Sequence, residues 1–319
     1  MRRGDRSGGL DGVLVVAKPS GPTSHDVVGL VRRLSQTRRV GHGGTLDPFA
    51  AGVLPVFLGH ATRIVEYHLG DEKSYRATVC FGASSTTDDL EGELTPADGP
   101  APSRTAVEAA LPALTGPISQ RPPAYSAIKV AGRRAYAMAR AGESVALPPR
   151  EVTIHRLELV DWDGSDAERP VAILDVTCSA GTYVRALARD LGERVGSAAY
   201  LGALIRTASG GFALDDAASL DDIRAAAAPG PDGLRALLQP IDVGLDRFPV
   251  VTLATDEVAA IARGQFVRPS GGIETPAEHV RLRDPDGRLV GIASPAPGGR
   301  LSPEKVFVSP AAPEPATVG

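Results

Sequence analysis

Between residues 73 and 81 polar and apolar side chains alternate. Tyr75, Ala77, Val79 and Phe81 fall on one face and Arg76, Thr78 and Cys80 on the other, which is the period of a half-buried strand. Apolar runs predict further strands at Val13–Val16, Val152–Val160 and Val171–Cys178, and Leu54–Leu58 is also apolar. A period near 3.6 appears after Pro19-Ser20-Gly21-Pro22: Thr23 or Ser24 can cap a helix that aligns Val27, Val28, Val31 and Leu34. Ala106–Leu114 predicts a helix ending at Gly116, and Ala124–Val130 reads as a strand. Gly132–Ala141 predicts a helix stopped by Gly142. Thr182 is a candidate cap for a helix to about Val195, with Tyr183, Leu187 and Leu191 recurring every four residues, and Ser219-x-x-Asp222 is a capping signal. Residues 83–103, polar and acidic, predict a mobile connection.

A boundary is expected near Gln239–Phe248. Beyond it, Val250–Leu253, a capped helix over Thr255–Arg263 stopped by Gly264, and strand-like pieces at 279–283, 289–293 and 305–308 predict a small mixed module, followed by a disordered end, PAAPEPATVG.

Composition narrows the class. Of 319 residues, 43% are hydrophobic and 23% charged, enough for a real core and unlike a disordered chain. No apolar run approaches a membrane span, and the basic N-terminus leads into GVLVVAK and not into a secretory segment, which predicts a soluble cytoplasmic protein. Two cysteines, Cys80 and Cys178, sit in strand patterns and read as free thiols; no spacing of Cys or His suggests a metal site. The net charge of −4 argues mildly against a polyanionic partner, but its distribution does not. Residues 121–150 hold six basic side chains against one acid, and Arg32, Arg33, Arg38 and Arg39 form a second cluster, so an electrostatic groove for RNA is open.

The stretch VGHGGTLDPFAAGVLPV (40–56) places one carboxylate, Asp47, in a glycine-rich loop stiffened by Pro48 and flanked by Leu46 and Phe49. Proline pushes the preceding residue into extended geometry, so the acid is held on a preset, half-apolar loop. Tyr75, at the start of a strand, reads either as a core aromatic or as a flat ring on which a planar ligand stacks. In CSAGTYVRALARDLG (178–192) a strand ends, a glycine turns and a helix begins with Arg185 in its first turn. A cation there opposes the helix dipole and calls for a compensating anion, a carboxylate or a phosphate. No phosphate-loop or dinucleotide fingerprint is present.

Six segments in order resemble the bacterial TruB-type tRNA pseudouridine synthases: VAKPSGPTSHDVV (16–28), residues 40–56, KSYRA (73–77), RPPAYSAIKVAGRRAYAMARAGE (121–143), residues 178–192 and YLGALIRTASGGF (200–212). The resemblance implies an α+β pseudouridine synthase fold, a central, mostly antiparallel mixed sheet flanked by helices and loops. It implies a catalytic domain over 10–240, an RNA-binding, PUA-like accessory module over 246–308 and a disordered tail over 309–319. In this family Asp47 would be the catalytic aspartate, Tyr75 the tyrosine that stacks the target uracil and is proposed as a base, and Arg185 the partner of the aspartate. Leu204 would wall the uracil pocket, His42 and Tyr183 would bind the substrate, and Lys18 with Pro19 would support the active-site loop. Two positions depart from the common pattern: Gly43 stands where many members have threonine, and Ile205 where many have a basic residue.

What the resemblance implies about activity is isomerisation of uridine to pseudouridine in tRNA, at U55 of the T-loop, with the base flipped out of its stack. It implies no cofactor, no metal and no obligate protein partner, with the tRNA T-arm bound by a monomer. The alternative is a non-catalytic RNA-binding or tRNA-folding protein on the same scaffold. Whether Asp47 attacks C1′ or removes the 2′-proton, and whether Tyr75 or Asp47 takes the C5 proton, stays open at the level of sequence.

Overall fold

The computed structural model describes residues 9–125, 129–130, 133–134, 138, 147–272 and 277–309. The run around Val13–Val16 forms a strand over Gly12–Lys18 (β1). Thr23 then caps the helix Ser24–Ser35 (α1): its hydroxyl accepts from the Asp26 N–H, and the Asp26 carboxylate accepts from the Thr23 N–H, a reciprocal capping box. Val27, Val28 and Val31 of α1 are buried with Leu14, Val16, Leu54 and Val56, each such side chain contributing roughly 1.5–3 kcal/mol relative to exposure.

The chain continues through Val40–His42 (β2), Ala51–Leu58 (β3), Lys73–Phe81 (β4), Arg104–Ala110 (α2), Gly116–Gln120 (β5), Arg150–Asp163 (β6), Val171–Cys178 (β7), Val184–Arg194 (α3), Ala199–Ser209 (β8) and Leu220–Ala227 (α4). One sheet takes the order β1-β3-β8-β4-β7-β6-β5, with Ala218–Ser219 beyond β1 and β2 paired on β3. Neighbours on that path are antiparallel except β3 with β8 and β1 with Ala218–Ser219. The fold is therefore α+β around a mixed, mostly antiparallel sheet, as the resemblance implied. Its main core lies where α3 and α2 cover β4, β7 and β8, with Leu187, Leu191, Phe81, Leu174 and Leu201 buried together.

Some expectations are corrected. Residues 83–103 are not a loose connection. Ala83–Ser85 pairs with Leu94–Pro96, and the turn between them is clipped to β8 by bonds from Leu90 N to Leu201 O and from Leu201 N to Asp88 O. The helix from Ala106 gives way after Ala110 to a single 3-10 turn over Leu111–Leu114, because Pro112 brings no N–H for the α-ladder. Thr182 is not the cap of α3. Its hydroxyl donates back to Ser179 O, and Tyr183 occupies the cap position with no side-chain bond to the helix. Lys129–Val130 pairs with Arg133–Arg134, so the segment after Gly132 opens as a strand and not a helix; residues 135–137 and 139–141 of the expected helix, its expected stop at Gly142, and the tail from 310 lie outside the described residues. Both cysteines are free, Cys178 buried and Cys80 half-buried.

A second sheet follows, built from Val250–Thr252 (β9), Val280–Arg283 (β10), Leu289–Ala296 (β11) and Arg300–Val306 (β12) in that order, with the helix Thr255–Ala262 (α5) packed on it through Ile261. It is joined to the first body by a shared apolar seam, in which Ile292 and Phe307 meet Val13, Phe57, Leu245 and Phe248. Arg63 Nη1 donates across the seam to Val306 O at 2.6 Å, and Arg281 Nη1 lies 3.2 Å from Asp246. Among the described residues no helix is long and apolar enough to cross a membrane.

Candidate active site

Four strands bring the site together in one row of the sheet. Val176 on β7 pairs with Tyr75 on β4, Tyr75 with Arg206 on β8, and Arg206 with Gly52 on β3. A Cβ at position 52 would sit 2.2 Å from the Arg206 carbonyl oxygen, so only glycine lets β3 lie this close to β8. The loop before β3 carries Asp47 over this row, and α3 starts beside it.

The loop is held from several sides. Lys18, 1% exposed, donates from Nζ to the carbonyls of Pro19 (2.9 Å), Pro48 (3.2 Å) and Ala50 (2.7 Å). Ser24 Oγ accepts from Leu46 N–H at 2.9 Å and donates to Leu46 O at 3.0 Å. Gly21 N–H donates to Pro48 O. Arg206 donates from Nε to Val53 O (2.8 Å), from Nη2 to Gly44 O (3.2 Å) and from Nη1 to Thr45 O (3.4 Å). Two buried cations thus grip the loop by its carbonyls, one on either side of Asp47.

Asp47 Oδ2 lies 3.0 Å from Arg185 Nε, an ion pair whose N–H is not aligned into a hydrogen bond. Arg185 is itself fixed: Nη1 lies 3.1 Å from Asp89 Oδ2 and donates to Thr87 O, and Nη2 donates to Tyr125 O at 2.9 Å. The Arg185 side chain is 7% exposed and that of Asp47 39%, so the arginine stands behind the carboxylate and the carboxylate faces open space. Burial pushes the Asp47 carboxyl above its ordinary value; Arg185 and Lys18 pull it down, and Asp89 works against them.

That space is a cavity of about 460 Å³, the size of a small-ligand site. Asp47, Tyr75, Tyr183, Arg185 and Leu204 line it together. Burial raises the Tyr75 phenol above its ordinary value, against the pull of Arg206. The Arg150 guanidinium stacks 4.7 Å from the Tyr183 ring centroid. Lys18 and His42 are not in the lining. Lys18 lies behind the Asp47 loop. His42 lies in β2, its Nδ1 accepting from Gly44 N–H at 3.3 Å, so its proton sits on Nε2. Burial and the nearby Arg206 lower its pKa and keep the ring neutral. At Gly43 a Cβ would meet the Phe57 ring at 3.0 Å, so the missing threonine leaves room that Phe57 occupies. Ile205 lies between Leu204 and Arg206 on the opposite face of β8, 40% exposed. Among the described residues no group of three or more His, Cys, Asp or Glu is placed to hold a metal ion.

Sequence reasoning missed Asp89 and Arg206. Asp89 had no signal, because it lay in a stretch that reads as linker. Arg206 had one: it stands two residues after Leu204, and strand side chains two apart share a face.

The fold matches that of a chain in the archaeal box H/ACA sRNP Nop10-Cbf5 complex, with a TM-score of 0.69 at 25% identity over 94% of this chain and 87% of that one. At the level of sequence the chain is 46% identical over 303 residues to tRNA pseudouridine synthase B of Thermobifida fusca, covering 93% of this chain and 98% of that one. It is 42% identical over 301 residues to tRNA pseudouridine synthase B of Bradyrhizobium diazoefficiens, covering 93% and 86%. These relationships define the class, an isomerase of the pseudouridine synthases. Within that class the chain belongs to the TruB family: residues 32–184 match the N-terminal domain of TruB family pseudouridylate synthase, 185–246 the tRNA pseudouridylate synthase B C-terminal domain, and 249–307 the C-terminal region of pseudouridine synthase II TruB.

Proposed function

We propose that this enzyme converts uridine to pseudouridine in tRNA, at U55 of the T-loop, and that Asp47 initiates the reaction. The observation that carries the reading is a single aspartate opening onto a cavity with a buried arginine behind it. The relatives above are named for tRNA, and the cavity lining supplies what a flipped uracil requires: the Tyr75 ring for stacking and Leu204 as an apolar wall.

Isomerisation breaks the N1–C1′ bond and joins C5 to C1′. N1 keeps the bonding pair, so the base leaves as an anion. The Asp47 carboxylate either bonds to C1′ or takes the 2′-proton, and both routes require it ionised. Burial alone would leave it protonated; Arg185 and Lys18 oppose that. After the base turns, C5 supplies the pair for the new bond and loses its proton, while N1 takes one up. The Tyr75 phenol retains its own proton under burial, which favours Asp47 as the group that receives the one from C5. Extracting the base from its stack costs a few kcal/mol, which stacking and phosphate contacts offset. The second sheet, 250–306, acts in this reading as an RNA-binding accessory module, and the chain works as a monomer without an obligate protein partner.

The test is direct. An unmodified tRNA transcript is incubated with the protein and pseudouridine is mapped at nucleotide resolution. Modification at U55 supports the reading; RNA binding with no pseudouridine formed anywhere points instead to an RNA-folding protein.

A further inference from the structure

Arg206 is 1% exposed and lines the cavity, yet its contacts are to main-chain carbonyls and to the Tyr75 hydroxyl. Among the described residues it has no carboxylate partner. Of the other cationic side chains in the lining, Arg185 is bracketed by the carboxylates of Asp47 and Asp89, Arg150 stacks on the Tyr183 ring, and Lys73, like Arg206, donates to main-chain carbonyls, those of Leu69 and Asp71. A buried cation without a counter-ion carries a desolvation penalty that a neutral donor making the same carbonyl contacts would not. The register places it: Tyr75 and Arg206 are direct cross-strand partners, so their side chains leave the sheet side by side on the cavity face. The ring that stacks the base and the uncompensated charge are neighbours by construction.

We infer that Arg206 serves the isomerisation both by holding the near arm of the Asp47 loop and the Tyr75 hydroxyl and by presenting an unneutralised positive charge to the uracil once it has left C1′ as an anion. The inference rests on the reading that this cavity isomerises uridine. Three roles converge in one side chain. Its carbonyl bonds to Gly44 and Thr45 fix where Asp47 begins. Its contact with Tyr75 fixes the platform. Its charge is worth most when N1 holds the bonding pair, because a fixed cation in a water-poor site stabilises charge that develops there without reorganising. Lysine would keep the charge but lose the fork that reaches three carbonyls and a phenol at once.

The experiment compares wild type, Arg206→Lys and Arg206→Ala in single-turnover conversion of unmodified tRNA transcript at saturating enzyme, with RNA affinity and thermal melting measured alongside. The expected result is a rate loss of more than tenfold for lysine and a larger one for alanine, with RNA affinity held within about threefold. Methylguanidinium added to the alanine variant should restore part of the rate, whereas methylurea, of similar shape but uncharged and with an acceptor oxygen in place of one NH2 group, should not. Equal rescue by methylurea would reduce Arg206 to a scaffold and overturn the inference, as would a wild-type rate in either variant. Should the alanine variant fail to fold by its melting profile, the lysine variant decides alone by its rate at unchanged affinity. Wild type that forms no pseudouridine would instead sink the functional reading itself, a result distinct from any variant effect.

Discussion

Asp89 Oδ2 lies 3.1 Å from Arg185 Nη1, on a different edge of the guanidinium from Asp47. The pairing depends on a turn at Asp88, whose φ of 61° is in the left-handed region that aspartate tolerates. That turn lets two consecutive carboxylates meet two arginines one helical turn apart on α3, Asp88 with Arg189 at 2.7 Å and Asp89 with Arg185. The orientation of the arginine behind Asp47 is therefore set by the Asp88–Asp89 turn, more than forty residues away in sequence from Asp47.

Asp89→Asn removes the charge that holds the rear of Arg185 but keeps the size of the side chain. Single-turnover conversion should slow by roughly tenfold, about 1.4 kcal/mol, with RNA affinity unchanged. A wild-type rate would show that Thr87 O and Tyr125 O hold the guanidinium well enough without it.

Arg185→Lys keeps one positive charge but cannot reach Asp47, Asp89 and two carbonyls together. A planar fork and a point charge are not interchangeable at such a site. The rate should drop by roughly a hundredfold, about 2.7 kcal/mol, while binding of the transcript stays within a few-fold. Equal losses of rate and affinity would move Arg185 from ordering Asp47 to contacting RNA.

Asp47→Asn should form no detectable pseudouridine and still bind RNA; residual turnover near the wild-type rate would remove Asp47 from its role. Its pKa adds a second readout. Burial raises it, so the rate of the wild type should fall with acid at a pH above the ordinary aspartate value of 3.8. Arg185 works against burial, and Arg185→Gln should push that acid limb higher still. Because the folded protein holds the Asp47 proton to higher pH than the unfolded chain, ionisation at neutral pH opposes folding. The Asn variant should therefore melt no lower than the wild type at pH 7.

Local signals along the chain were legible and long-range register was not. The elements that carry local signals, the capping boxes at Thr23 and Ser219, the alternation in β4 and the apolar stripe of α1, are where the pattern placed them. The row Val176, Tyr75, Arg206, Gly52 was not legible, because register between strands distant in sequence is set by the whole sheet and not by any one strand. Asp89 was hidden for a related reason. A polar, glycine-containing segment reads as loose until its partner strand, here β8, is known. The charge opposing the helix dipole at Arg185 called for an anion, and the sequence left carboxylate and phosphate open; the structure supplies two carboxylates.

Lys18 gives the prediction with the sharpest pH signature. Burial pulls its ammonium down to about 8, with Asp47 opposing and Arg206 adding to the fall. The unfolded chain keeps the proton up to about 10.5. Between these values the unfolded state binds more protons than the folded one, so folding becomes more favourable as pH rises through that window, by up to about 1.4 kcal/mol per pH unit for one proton. Lys18→Met has no such term. The melting temperature of the wild type minus that of Lys18→Met should therefore climb from pH 8 to pH 10 and stay flat below pH 7. Activity should move the other way. The ammonium has three protons for the three carbonyls of Pro19, Pro48 and Ala50, and the neutral amine has two, so the Asp47 loop loosens as the proton leaves and the rate should decline above about pH 8. A melting difference that stays flat across the whole range would mean that Lys18 retains its proton and that the grip on the loop is insensitive to pH.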